Sequence, residues 1–152
     1  MRKSIEELVV ENYPALAIDL LAPLLDVLRV ARDALDGDLE KYLILLAIAV
    51  RTVEQGEFIP EVQKRLSAGE SAFVPGIGTN GRSVAESLGI PRETVRRKIK
   101  ELVSGGWVVR ENNLLMPTGQ AYEKLALLRK AQARQAVRSH EAVERLKQSF
   151  GQ

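Results

Sequence analysis

The sequence predicts a mainly α-helical chain carrying one small β-hairpin. Three observations predict it. Apolar residues recur at steps of three and four through most of the 152 residues. Glycine, proline and asparagine mostly punctuate those runs. One stretch alone, "WVVRENNLLMP", places two short apolar runs on either side of a turn.

Composition narrows the function classes. The length suits a single domain, and such a chain buries roughly 68–70% of the surface its unfolded form exposes. With no cysteine, disulfides, thiolate chemistry and cysteine-ligated metals are excluded. The single histidine, His140, cannot build a histidine metal site and is expected to be exposed on a helix. No metal and no cofactor are expected. Met1-Arg2-Lys3 leads into Ser4-Ile5-Glu6-Glu7, not into an apolar run, so no secretory signal is read. The segment from Ala15 to Ala31 is interrupted by Asp19, Asp26 and Arg29, which argues against a membrane span. A soluble cytoplasmic protein is expected. Residues 1–60 carry 6 Lys/Arg against 11 Asp/Glu, net −5; residues 61–152 carry 16 against 9, net +7. A basic half beside an acidic half suggests an anionic partner for the C-terminal part.

The elements follow in order. Ser4 to Glu11 reads as a short amphipathic helix. A second helix is expected from Pro14 to Leu35, kinked or split at Pro23, which lacks the N–H its turn needs. Gly37 ends it and Asp38 caps the next, Leu39 to Gln55, whose run "YLILLAIAV" marks it as central to the core. Gly56 closes that helix, and "PEVQKRLSAG" reads as a short one in an insert from Glu57 to Arg82. Ser83-Val84-Ala85-Glu86 has the spacing of a capping box for a helix that Gly89 stops after Leu88. Pro91 opens another helix, with Val95, Ile99, Leu102 and Val103 on one stripe and Ser104-Gly105-Gly106 at its end. The hairpin pairs Trp107–Arg110 with Leu114–Met116 around Glu111-Asn112-Asn113. Trp107 is expected in the core at the hairpin's base, and Met116 in the core. Thr118 caps a last helix, Gly119 to Ser149.

Gly76, Gly78 and Gly81 spell G-x-G-x-x-G, which invites a phosphate-cradling reading. A dinucleotide site needs a strand before the glycines, a long helix after them and a βαβ unit around them. Here "SAFV" precedes them, the helix that follows stops at Gly89, and Glu101, at the distance of a ribose partner, lies on a helix. Backbone freedom in a loop explains the glycines better. With no base, nucleophile or metal constellation, no enzyme is expected.

Short helix, tight turn, second helix and hairpin make the order of a winged helix-turn-helix. Val84, Ala85, Leu88 and Ile90 supply the apolar underside; Arg92, Glu93, Arg96, Arg97 and Lys100 remain outward, with Thr94 and Lys98 on the flanks. Residues 82–110 hold seven basic and three acidic side chains. Such a helix suits the major groove, where a guanidinium takes guanine O6 and N7 and a carboxylate accepts from cytosine N4. The same residues also suit a solvated face; the turn and hairpin weigh for DNA. Arg82, Arg96 and Lys100 are expected on phosphates. Arg110 on the wing is read equally as a phosphate contact or as plain surface.

"SVAESLGIPRETVRRKIKEL" resembles the helix-turn-helix of the cAMP receptor protein family, whose recognition helix carries R-E-T-V-x-R. Arg92, Glu93, Thr94, Val95 and Arg97 match it in order. The resemblance implies that Arg92, Glu93 and Arg97 read bases and that Thr94 touches the backbone. Pro91 stands where that family has serine or threonine, and it brings no donor for a phosphate. No β-roll sequence precedes the motif, so cyclic-nucleotide binding is not implied. The whole layout is similar to the MarR group of regulators, in which N-terminal helices precede the winged domain and a helix follows it; "GGWVVRENNLLMPTGQAYEKL" is similar to that group's wing and post-wing segment. The insert from Glu57 to Arg82 departs from it.

The closing helix sets Leu125, Leu128, Ala136, Val143, Leu146 and Phe150 near one face over about 45 Å. A two-fold partner would bury that stripe, so a homodimer through the N- and C-terminal helices is expected, against the alternative of a helix folded back on its own chain. The expected organisation is thus residues 1–56 as a helical dimerisation and core region, 57–118 as a loop with the DNA-binding region, and 119–152 as a C-terminal dimerisation helix. The expected function is sequence-specific binding of double-stranded DNA by a dimeric transcriptional regulator. The alternative is a winged-helix module that binds protein. The apolar N-terminal helices leave two readings open, core or a pocket for a small-molecule effector.

Overall fold

A computed structural model describes residues 1–55, 58–70 and 78–151, without the side chains of Phe58, Ile59, Val62 and Leu66. Among these residues the chain runs α1 (Ile5–Glu11), α2 (Tyr13–Ala34), α3 (Leu39–Val53), α4 (Phe58–Ser67), α5 (Gly81–Leu88), α6 (Arg92–Ser104), β1 (Val108–Glu111), β2 (Leu114–Pro117), α7 (Gly119–Lys124) and α8 (Ala126–Ser149). The chain is mainly helical with a small antiparallel hairpin, as the sequence predicts. Two compact units form: residues 1–33 with 126–152, and residues 34–125. The long third helix, grouped by sequence with the N-terminal region, packs in the second unit.

In the first unit, Ser4 starts α1 with a capping box closed by Glu7. Leu8 and Leu16 meet Ala142 and Leu146 of α8, with Val9 and Leu20 packed against them. The closing helix therefore folds back onto the N-terminal helices of its own chain. Ion pairs line the same packing: Asp19 takes Arg138 at 3.0 Å and Arg145 at 3.1 Å, and Asp26 takes Arg134 at 2.8 Å. Hydrogen bonds from Arg134, then Arg29, hold the Asp26 carboxyl below its ordinary range.

Three expectations are corrected here. The second helix is not split at Pro23, which lies buried inside a continuous α2. The missing N–H removes one hydrogen bond, while pairs on both sides of the proline, at Asp19 and Asp26, hold α2 to α8. The last helix is not one piece: Leu125 ends α7, and α8 begins at Ala126. Neither glycine nor proline stands there; the interruption falls where one unit ends and the other resumes. The buried stripe of α8 matches the expected one only at Leu128 and Leu146. It comprises Leu128, Ala131, Ala142 and Leu146, whereas Ala136 and Phe150 are exposed. The face is chosen by contact with α1 and by the arginines that reach Asp19 and Asp26, which apolar periodicity does not weigh.

In the second unit, Asp36 and Gly37 both take positive φ and reverse the chain after α2. Asp38 then caps α3 by accepting from the Lys41 N–H at 2.8 Å. Ile44, Leu45 and Ile48 of α3 are buried, and α3 packs against α5, α6 and β2. Thr52, also buried, donates to the Ile48 carbonyl at 2.7 Å, so its hydroxyl is satisfied. The hairpin pairs Val108 with Pro117 through Glu111 with Leu114, leaving Asn112 and Asn113 as a two-residue loop, both at positive φ. That backbone matches a type I′ turn, which asparagine tolerates. Met116 is core, as expected.

The capping box expected at Ser83–Glu86 is also corrected. The helix starts earlier, at Gly81, and Asn80 is its cap, accepting from the Ser83 N–H at 2.9 Å. Asn80→Ala is expected to cost about 1 kcal/mol in chemical denaturation, whereas Ser83→Ala, now inside the helix, stays within about 0.5 kcal/mol. Equal losses for the two variants would overturn this assignment.

Candidate nucleic-acid interface

The face is built by α5, α6 and the hairpin. Gly89 ends α5 in the left-handed conformation, and Pro91 stands at the head of α6 with an extended backbone and no side-chain cap. The turn between them brings α5 against α6. Val84, Ala85, Val95, Ile99 and Leu102 are buried, and Leu88 and Ile90 are half-buried. Val103, expected on the same stripe, is exposed. With this underside inward, Arg92, Glu93, Arg96, Arg97 and Lys100 are all exposed, and Thr94 is half-buried at their edge.

The rear flank of α6 is tied to α3. Lys98 donates to Asp38 at 2.6 Å and lies 3.5 Å from Glu40. Lys41 pairs with Glu101 at 3.1 Å, which gives that glutamate a structural partner. The Asp38 hydrogen bond raises the Lys98 ammonium above its ordinary range. Burial pushes the Asp38 carboxyl up, but the Lys98 and Lys41 hydrogen bonds outweigh it and the net shift is down. Lys98 is thus an internal cross-link rather than part of the open face. Sixty positions separate it from Asp38, so no local spacing signals the pair.

Charges on the open face are partly neutralised. Arg96 donates to both Glu93 oxygens, one contact being 3.1 Å. That bond, then the Arg96 charge, holds the Glu93 carboxyl below its ordinary range, so it stays an ionised acceptor. Glu86 accepts from Arg82 Nε at 3.1 Å and stands 3.7 Å from Arg92. The Arg82–Glu86 pair was legible as an i,i+4 spacing; Arg92's share in it was not. Arg97 and Lys100 on α6, and the exposed Arg110 on β1, have no ion pair or hydrogen bond among the described residues.

The base of the hairpin is braced. Trp107 is half-buried rather than fully core, and Lys124 lies over its ring at 4.9 Å. Thr118 donates to the Gly106 carbonyl at 2.6 Å and caps α7 through the Ala121 N–H. Gly106 has positive φ, and a Cβ there would collide with Gln120.

Two of the three glycines of G-x-G-x-x-G have structural work, and Gly76 lies outside the described residues. Thr79 bridges to Leu115 of β2 through N–H···O contacts of 3.1 and 2.6 Å in the two directions. A Cβ on Gly78 would stand 2.6 Å from the Leu115 carbonyl, and one on Gly81 would stand 3.3 Å from Ile99. These glycines let the segment close onto the hairpin and let α5 close onto α6. The sequence carried the glycines but no sign of this bridge.

Among the described residues no acidic or histidine cluster suits a metal ion, and no helix is long and apolar enough to cross a membrane. His140 is exposed. No family model, no curated protein and no solved structure matches the chain.

Proposed function

We propose that the chain is a sequence-specific, double-stranded-DNA-binding transcriptional regulator of the winged helix-turn-helix class, acting in the cytoplasm as a homodimer and catalysing no reaction. The observation that carries this reading is the outward cationic face of α6, whose opposite face is fixed in the core by Val95, Ile99 and Leu102. The order α3, Thr79 bridge, α5, α6, hairpin supports the winged-helix assignment. The resemblance of the RETV-x-R segment to the cAMP receptor protein family, and of the layout to the MarR group, points the same way.

In this reading α5 crosses the phosphate backbone and α6 enters the major groove. Arg92, Glu93 and Arg97 select bases. Arg82, Thr94, Arg96, Lys100 and Arg110 hold phosphates. The homodimer forms through the N- and C-terminal helices. Support for it comes from α2, whose outward Ile18, Leu21 and Leu25 are 66%, 51% and 68% exposed, rather than from the α8 stripe, whose Leu128 and Leu146 are buried within its own chain.

The test is selection of bound sequences from a random duplex pool. An enriched palindrome is expected, with half-sites about 34 Å apart. A pool that shows salt-sensitive retention but no enrichment would instead favour a module that binds protein.

A further inference from the structure

Glu86 is a carboxylate inside a face that otherwise suits an anionic ligand. It lies on α5, yet one of its oxygens serves cations on both helices: Arg82 Nε at 3.1 Å and Arg92 at 3.7 Å. All three side chains are well exposed, so the cluster contributes little to stability. Its effect falls on what the two guanidiniums can meet. Arg82 leads the first turn of α5, and Arg92 leads α6. Both stand where a duplex backbone would approach the head of either helix. A carboxylate between them cancels part of their attraction for any phosphate, and its charge, 3.7 Å from Arg92, draws that guanidinium toward α5. A free guanidinium there would bind any sequence, because phosphate contacts carry no sequence information.

We propose that Glu86 is a specificity-determining positioning residue: it restrains Arg82 and Arg92 against indiscriminate phosphate binding and presents Arg92 for a base edge. This rests on the DNA-binding reading above. Specificity is a difference between two affinities, and a like-charged group that penalises the wrong complex widens that difference. Glu93 plays no equivalent part, since the cations it acts on, Arg96 in an ion pair and Arg97 through its charge, lie on its own helix.

The experiment compares the full chain with Glu86→Gln and Glu86→Asp on two probes. One is the duplex enriched from the random pool; the other is a shuffled duplex of the same composition. Glu86→Gln is expected to bind the shuffled duplex about two- to fivefold more tightly, with no matching gain on the enriched one, so the preference falls. Its log–log salt dependence on the shuffled duplex should steepen by about 0.9, the value of one added phosphate contact. Glu86→Asp keeps the charge and should restore most of the preference. A purely structural role would lower thermal stability and leave the salt slope alone. An unchanged preference and slope in Glu86→Gln, while the parent still discriminates the two probes, would overturn the role of Glu86 and spare the DNA-binding reading. A parent that discriminates neither probe would overturn both.

Discussion

Arg97→Ala is expected to weaken binding to the enriched duplex by about 1–3 kcal/mol and to relax the choice of base at one position of the half-site. The reason is geometric. Arg97 is exposed on the open side of α6 and, among the described residues, is held by no ion pair or hydrogen bond. On the proposed DNA-binding reading its guanidinium would enter the groove without first giving up a hydrogen bond or ion pair among the described residues, so a bidentate contact would not be offset. For the same reason its loss leaves folding stability within about 0.5 kcal/mol. Lys100 supplies the contrast. It is equally free, but an ammonium acts as a point charge, so Lys100→Ala should weaken enriched and shuffled duplexes alike and reduce the salt slope by about 1. Quantitative shift assays at three salt concentrations separate the two. Equal losses for Arg97→Ala on both duplexes would show that it does not read bases.

Asp38→Ala is expected to destabilise the fold by about 2–4 kcal/mol. It removes the cap of α3, worth about 1 kcal/mol, and leaves the largely buried Lys98 ammonium without its main partner, worth about 1–3 kcal/mol more. Asp38→Asn keeps an oxygen for the Lys41 N–H and should lose only the ionic part. The pH dependence has a definite sign. The Asp38 carboxyl is lowered from its ordinary 3.8 in the folded chain, so its contribution is complete above that value and disappears as pH falls through the lowered one. Lys98 is raised from 10.5, so its contribution is complete below that value and disappears as pH rises through the raised one. The stability gap between the parent and Asp38→Asn should therefore be level at neutral pH and close at both extremes. Denaturation midpoints measured at low, neutral and high pH test this; a gap that persists at the acid end would remove the Asp38–Lys98 pair as its source.

Because Lys98 and Glu101 tie α6 to α3, these pairs also bear on the face. They occupy the rear of α6 and leave the front to Arg92, Arg96, Arg97 and Lys100. Burial of Ile99 and Leu102 sets the rotation of the helix, and the two ion pairs reinforce it. The two halves of the α6 surface thus differ in their partners, although they look alike in composition.

The sequence by itself determined the features that depend on near neighbours. Asp38 as a cap, Gly89 as a stop, the Asn112-Asn113 turn and the inward stripe of Val95, Ile99 and Leu102 all follow from contacts within a few residues, where spacing is information enough. So did the exposure of the α6 arginines, which is the complement of that stripe. Tertiary structure decided the rest. Only folding could set Lys98 apart from Arg97, bring Thr79 to Leu115, join Glu86 to Arg92, carry α2 through Pro23 and choose which side of α8 is buried. Each of these depends on a partner from another element, and a repeat of three or four residues along one helix says nothing about what that helix will meet.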